Sequence, residues 1–173
     1  MLIVDGYNVL RSGFRYRPLR FDPDYTHDTF NKVREALISD VAAFAGSEYR
    51  AVIVFDAAEN DESAGKTQHV GGVKVVFSPH GSSADKVIEK LAHDAREARF
   101  ETLVVTSDAT IQDTVFGGGV DRMSADGFSR EMDELREEAR REKSVATKRK
   151  ATVAERIDAD TLAKLRALRD REK

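Results

Sequence analysis

The sequence predicts an α/β fold: a mostly parallel central sheet of four to five strands with helices on both faces, followed by a C-terminal helix. Three observations carry this expectation. Continuous apolar runs at residues 2–4 and 51–55 have the length and character of strands covered on both faces, and 73–77 and 102–106 read as a third and a fourth strand. Between them, apolar residues recur at three- and four-residue spacing, as in amphipathic helices. Alternation of these two patterns favours parallel pairing through helical crossovers.

Taken in order, residues 2–4 form a central strand that ends in Asp5-Gly6, which suits a turn. Residues 11–25 are rich in Arg, Tyr and Pro without a period and are expected as a long loop. Phe30, Val33, Leu37, Val41 and Phe44 mark a helix from about residue 26 to 45, closed by Gly46. The strand at 51–55 ends in Asp56, and the polar stretch to about residue 68 is expected as a loop. Gly71-Gly72 precedes the strand at 73–77, after which Ser82 opens a helix with Val87, Ile88, Leu91 and Ala95 on one side. The strand at 102–106 passes through Ser107-Asp108 into a short helix ending near residue 115. Gly117-Gly118-Gly119 is a flexible turn into a short fifth strand at 120–124, and a charged helix covers about 126–143. The domain is thus placed at 1–143. Residues 144–173 are expected as a basic, turn-like linker at 144–151 and a terminal helix. Its narrow stripe of Ile157, Thr161, Leu165 and Leu168 packs on the domain or on a partner.

Composition narrows the function. A chain of 173 residues, 40% hydrophobic, supports one α/β domain and a short appendage. The absence of cysteine excludes disulfides and thiolate zinc sites, and no apolar stretch has membrane-spanning length, so a cytoplasmic protein with no membrane partner is expected. A net charge of -3 argues against binding nucleic acid by bulk electrostatics, yet charge is unevenly spread. Arg11, Arg15, Arg17 and Arg20 interleave with Phe14, Tyr16 and Phe21, which suits phosphate contacts and base stacking in single-stranded RNA; a solvated loop with buried aromatics fits the same pattern. Lys143, Lys148, Arg149 and Lys150 form a second basic run, which suits ribosomal RNA or a plain linker. The four histidines lack metal-ligand spacing.

The aspartates are the main signal. Asp5, Asp56 and Asp108 each stand at or just after the end of an apolar strand, and ligands of open parallel sheets bind outside those carboxyl ends. Asp85 lies in the first turn of the helix after the third run, at the same end of the sheet, and Glu89 is one turn further on the same side. Gathered carboxylates repel one another unless a cation neutralises them, and hard oxygen ligands select Mg2+ or Mn2+. Such ions support in-line hydrolysis of a phosphodiester without a side-chain nucleophile. Asn8 and Ser107 are placed to orient water, phosphate or a neighbouring carboxylate. Each acid also has a structural explanation: Asp108 and Asp85 as helix-terminal residues, Ser82-x-x-Asp85 as a capping box, Asp5 and Asp56 as turn residues.

Five segments in order, Leu2-Ile3-Val4-Asp5-Gly6-Tyr7-Asn8-Val9-Leu10, Val54-Phe55-Asp56-Ala57, Ser83-Ala84-Asp85-Lys86-Val87-Ile88-Glu89, Val105-Thr106-Ser107-Asp108 and Phe116-Gly117-Gly118-Gly119, resemble the motifs of the YacP-like NYN-domain proteins. The likeness extends to about Lys143. It implies a PIN-like/NYN fold and a divalent-metal endoribonuclease acting on mRNA, with the ribosome as a further partner and no DNA substrate. It also implies Asp5, Asp85 and Asp108 as the metal-holding catalytic residues, with Asp56 and Asn8 lining the same pocket. Two other functions compete: a catalytically silent RNA- or ribosome-binding module of the same fold, and a phosphohydrolase acting on a small ester. No DxD pair follows the first strand, which speaks against the aspartyl-phosphate kind of phosphatase.

Overall fold

Strand β1 (Leu2–Asp5) lies in the middle of a six-stranded sheet, with every residue buried. The computed structural model describes residues 1–17, 27–57 and 65–156, with side chains described for 1–17, 31–57 and 65–145. Two compact units divide the chain, Met1–Met132 and Asp133–Lys173, and the sheet belongs to the first. After β1 come α1 (Gly6–Ser12), α2 (His27–Ala45), β2 (Ala51–Phe55), β3 (Thr67–Val70) and β4 (Val73–Phe77). There follow α3 (Ala84–Glu97), β5 (Thr102–Val105), α4 (Ala109–Val115), β6 (Val120–Met123) and α5 (Ala125–Arg156).

The strand order is β3-β4-β2-β1-β5-β6, parallel throughout except for the β3–β4 pair. The chain builds outward on one side of β1 through β2 and β4, then returns to add β5 and β6 on the other. A reversal of this kind opens a crevice between β1 and β5 at their carboxyl ends. Two apolar cores cover the faces. Leu2, Val4, Ile53 and Phe55 point toward α1, α2 and the first turns of α5, where Leu37, Val41 and Phe128 meet them. Ile3, Val52, Val54 and Val104 point toward α3 and α4, against Ile88, Ala92 and Ile111. The period-two alternation along β1 and β2 follows from the pleat.

The structure corrects the expected elements in four places. A sixth strand exists: β3 begins at the end of the stretch expected as loop, has four exposed residues, and joins β4 through a two-residue Gly71-Gly72 hairpin with φ of 57° and 83°. Both turn positions need the left-handed conformation that glycine takes without steric cost. Asp5-Gly6 is a helix start, because α1 begins at Gly6 with Asp5 as its N-cap. The cap of α3 is Ser83, whose hydroxyl accepts the Lys86 N–H at 3.4 Å, rather than Ser82. Helix α5 runs unbroken through the basic residues at 144–151, which include no glycine or proline to stop it. In the second unit, Glu137 and Arg141 form an i,i+4 pair at 3.4 Å on the charged helix. The apolar stripe from Ile157 to Leu168 lies outside the described residues.

The segment after α1 is anchored by a buried carboxylate. Asp40 Oδ2 on α2 accepts from Arg15 Nε at 2.7 Å and from the Tyr16 hydroxyl at 3.0 Å. Tyr16→Phe removes one donor from this buried anion, and a fall of about 2 kcal/mol in unfolding free energy is expected in urea titration.

Candidate active site

Asp5, Asn8, Arg11, Asp56, Asp85 and Asp108, together with Tyr7 and Ala84, line one cavity of about 270 Å³ at the carboxyl ends of the parallel strands. Asp5 ends β1, Asp56 follows β2, Asp85 is in the first turn of α3, and Asp108 caps α4. Asp5 and Asp56 stand where a buried apolar run stops at the edge of the sheet, and Asp108 and Asp85 stand at the start of the helices that follow β5 and β4, at the same edge.

Hydrogen bonds fix these side chains. Asp5 Oδ1 accepts from Asn8 N at 3.2 Å, and Oδ2 accepts from the Thr106 hydroxyl at 3.0 Å. Thr106 Oγ1 in turn accepts from Asp108 N at 3.1 Å, so one hydroxyl joins the ends of β1 and β5. Asn8 Oδ1 accepts from Ser107 N at 2.7 Å and ties α1 to the same turn. Asp108 Oδ1 accepts from Thr110 N at 2.8 Å and Ile111 N at 3.3 Å, so its capping role and its place in the cavity coexist. Asp56 holds the start of α3, accepting from Ala84 N at 3.4 Å, and its other oxygen accepts from the Ser78 hydroxyl at 3.3 Å. It thereby sets the position of Asp85, the neighbour of Ala84.

Electrostatics mark the cavity as short of positive charge. Burial pushes the Asp5 carboxyl up to about 6, against the hydrogen bonds from Asn8 and Thr106, and Asp85 and Asp108 push it further. Asp85 is also raised, first by burial and then by Asp108 and Asp56. Among the described residues, no three acidic or imidazole side chains are drawn together as a ready-made metal cage. The donor set still fits a hydrated magnesium-type ion, which takes one or two carboxylates and completes its shell with waters and substrate phosphate oxygens.

The other candidate positions divide clearly. Glu89 does not line the cavity: α3 climbs away from the sheet edge, and one turn moves a side chain by about 5.4 Å. The Ser107 hydroxyl accepts from Ala125 N at 3.0 Å and so fixes the start of α5. Of the arginines, Arg11 lines the cavity with its guanidinium 5.7 Å from the Tyr7 ring centroid. Arg15 is held in the Asp40 pair, and Arg17 donates to the Ser12 carbonyl at 2.8 Å. Arg20 and Phe21 lie outside the described residues.

Thr106 and Ser78 escaped the sequence analysis as functional residues. Each is the first residue after a buried parallel strand, as Asp56 is, and that position was the available signal. Ser78 is fully buried and also accepts from Ala57 N at 2.9 Å. Ser78→Ala takes the acceptor from that N–H and one donor from Asp56, and a loss of about 1–3 kcal/mol is expected by thermal or chemical denaturation.

Comparison with known proteins agrees with this architecture. The model of the YacP-like NYN domain family matches residues 2–170. An uncharacterized protein, YacP, from Bacillus subtilis (strain 168) is 32% identical over 136 residues, covering 78% of this chain and 76% of the relative. The crystal structure of Rae1 (YacP) from Bacillus subtilis superposes with a TM-score of 0.66 at 27% identity, covering 98% of this chain and 94% of that one. A mutant form of the same protein gives a TM-score of 0.65 at 30% identity over 84% and 82% of the two chains. Among the described residues no helix is long and apolar enough to cross a membrane. With the family model matching from β1 into the second unit, the chain belongs to the YacP-like NYN domain family.

Proposed function

We propose that this protein is a metal-dependent endoribonuclease that hydrolyses phosphodiesters of mRNA in the cytoplasm, with the ribosome as the partner that presents the substrate. The observation that carries the reading is the convergence of Asp5, Asp85 and Asp108 at the crevice where the strand order reverses. These three carboxylates would hold Mg2+ or Mn2+, which when bound supplies an activated water and neutralises charge on the phosphate. Asn8 and Thr106 keep the β1 and β5 ends in register, so that Asp5 and Asp108 stay on one side of the substrate. Asp56 is a positioning residue that acts through the start of α3. Arg11, on the wall of the cavity, is placed to receive an RNA phosphate. Residues 1–143 carry this activity, and the basic run from Lys143 to Lys150 is a contact for ribosomal RNA.

The test is cleavage of mRNA in a translating extract by the full chain and by Asp85→Asn, with Mg2+ or Mn2+ and with chelator. New RNA ends are expected from the unsubstituted protein only, and only with metal, with Asp85→Asn reduced at least about a hundredfold. Equal cleavage by both proteins would overturn the site. Binding of RNA or ribosomes with no cleavage by either would leave a silent binding module.

A further inference from the structure

The opposite end of the sheet carries a second, larger cavity of about 670 Å³, lined among others by Tyr49, Arg50, His69, Lys74, Leu91 and Phe100. Its wall is unusual for a region outside the described site. Phe100 is 49% exposed on the turn between α3 and β5, a turn made by Arg99 in the left-handed conformation at φ 55°. That conformation is uncommon for a residue other than glycine. The Arg50 guanidinium stands 5.7 Å from the Phe100 ring centroid. Lys74 and His69 are cross-strand partners on β4 and β3, both exposed. Among the described residues neither Arg50 nor Lys74 has a carboxylate at ion-pair distance, although Glu48 also lines the cavity.

We propose that this cavity is a second RNA site, which takes one nucleotide of a single-stranded RNA whose scissile bond lies in the carboxylate cavity. The proposal rests on the ribonuclease reading above. A guanidinium over an exposed ring is a platform for a base, and the adjacent ammonium and imidazole serve its phosphate. An acidic peptide would use the cations and leave the platform idle. Helix α3 joins the two sites: it starts beside Asp56 and Asp85 and ends just before Phe100, a run of about 20 Å at 1.5 Å per residue. Lys86 and Lys90 are exposed one turn apart on its first half, and Asp94 and Glu97 are exposed beyond them, so the basic part of the path lies beside the carboxylate cavity.

Binding of a labelled twelve-nucleotide single-stranded RNA to the full chain tests this, in an Asp5→Asn background that prevents cleavage. Phe100→Ala is expected to weaken binding about 5- to 100-fold, in keeping with one lost stacking partner. Arg50→Ala and Lys74→Ala should each flatten the salt dependence of log Kd by about 0.7. Amide chemical shifts in the same titration place the RNA. Shifts at both cavities support the proposal. Shifts confined to the carboxylate cavity overturn it and leave the nuclease reading intact. Shifts confined to the Phe100 cavity, with no cleavage by the unsubstituted protein, overturn the nuclease reading and with it the shared strand. A cavity that is silent to RNA, or that answers only to a free nucleoside monophosphate, overturns the second site and leaves that face to another ligand.

Discussion

Asp5→Asn is expected to lower phosphodiester cleavage by at least about a hundredfold while making the metal-free protein more stable. The two effects share one cause. Asp5 is 5% exposed, and burial lifts its carboxyl from 3.8 to about 6. The folded state therefore holds the Asp5 proton more tightly than the unfolded chain does. Stability from this group is present below pH 4 and is lost as pH rises through about 6, so at neutral pH the ionised carboxylate costs about 2–3 kcal/mol. An amide at this position keeps an oxygen for the Asn8 N–H and offers N–H to Thr106 Oγ1 without the charge. Thermal melts in chelator should place Asp5→Asn above the unsubstituted protein at pH 7.5, with the gap closing near pH 4. Added Mg2+ or Mn2+ should raise the melting temperature of the unsubstituted protein and leave the variant nearly unmoved. A variant less stable than its parent at neutral pH would show that the hydrogen bonds, rather than the buried charge, dominate at Asp5.

Gly6→Ala is expected to be the most damaging single methyl group in the molecule. A Cβ at residue 6 would fall 2.3 Å from Cε1 and 2.5 Å from Cδ1 of Phe55. That ring is fully buried, stacked on Phe77 at 5.7 Å and edge-on to Tyr7 at 5.1 Å, so it has no free space into which to turn. A loss of about 3 kcal/mol or more is expected in urea titration, together with loss of cleavage, because Gly6 stands between Asp5 and the Asn8 tether. Phe55→Leu combined with Gly6→Ala should recover part of the stability, and additive losses in that double-mutant cycle would place the damage in the backbone of α1.

The parts of the fold that could be read from the sequence are those where burial writes a pattern. β2 was expected at 51–55 and stands there, because a strand covered on both faces leaves an unbroken apolar run; β4 was expected at 73–77 and stands there as well, its buried Val73, Val75 and Phe77 alternating with exposed Lys74 and half-buried Val76. Helix α2 ends before Gly46 as its apolar spacing indicates. β3 left no such trace: all four of its residues are exposed, and pairing with β4 alone holds it. Helix α1 was hidden because Asp-Gly also spells a turn, and only the buried contact with Phe55 explains the glycine. The same division runs through the site. The aspartates were legible as strand-end acids, whereas Thr106, which binds Asp5 across 101 residues of chain, depends on the β1–β5 pairing. Helical spacing put Glu89 on the side of Asp85, but Glu89 stands one turn further along α3 and only Asp85 lines the cavity.

The central place of β1 also has a consequence for how the protein is made. Its two neighbours are β2 and β5, so β1 stays half-paired until residues near 105 have been added. At about 5–20 residues per second, the interval between Asp5 and Asp108 is about 5–20 s. During that time the nascent chain has one wall of its crevice and lacks the other. Long-range pairing of this kind slows folding, and until it forms Asp5 and Asp108 do not share a crevice.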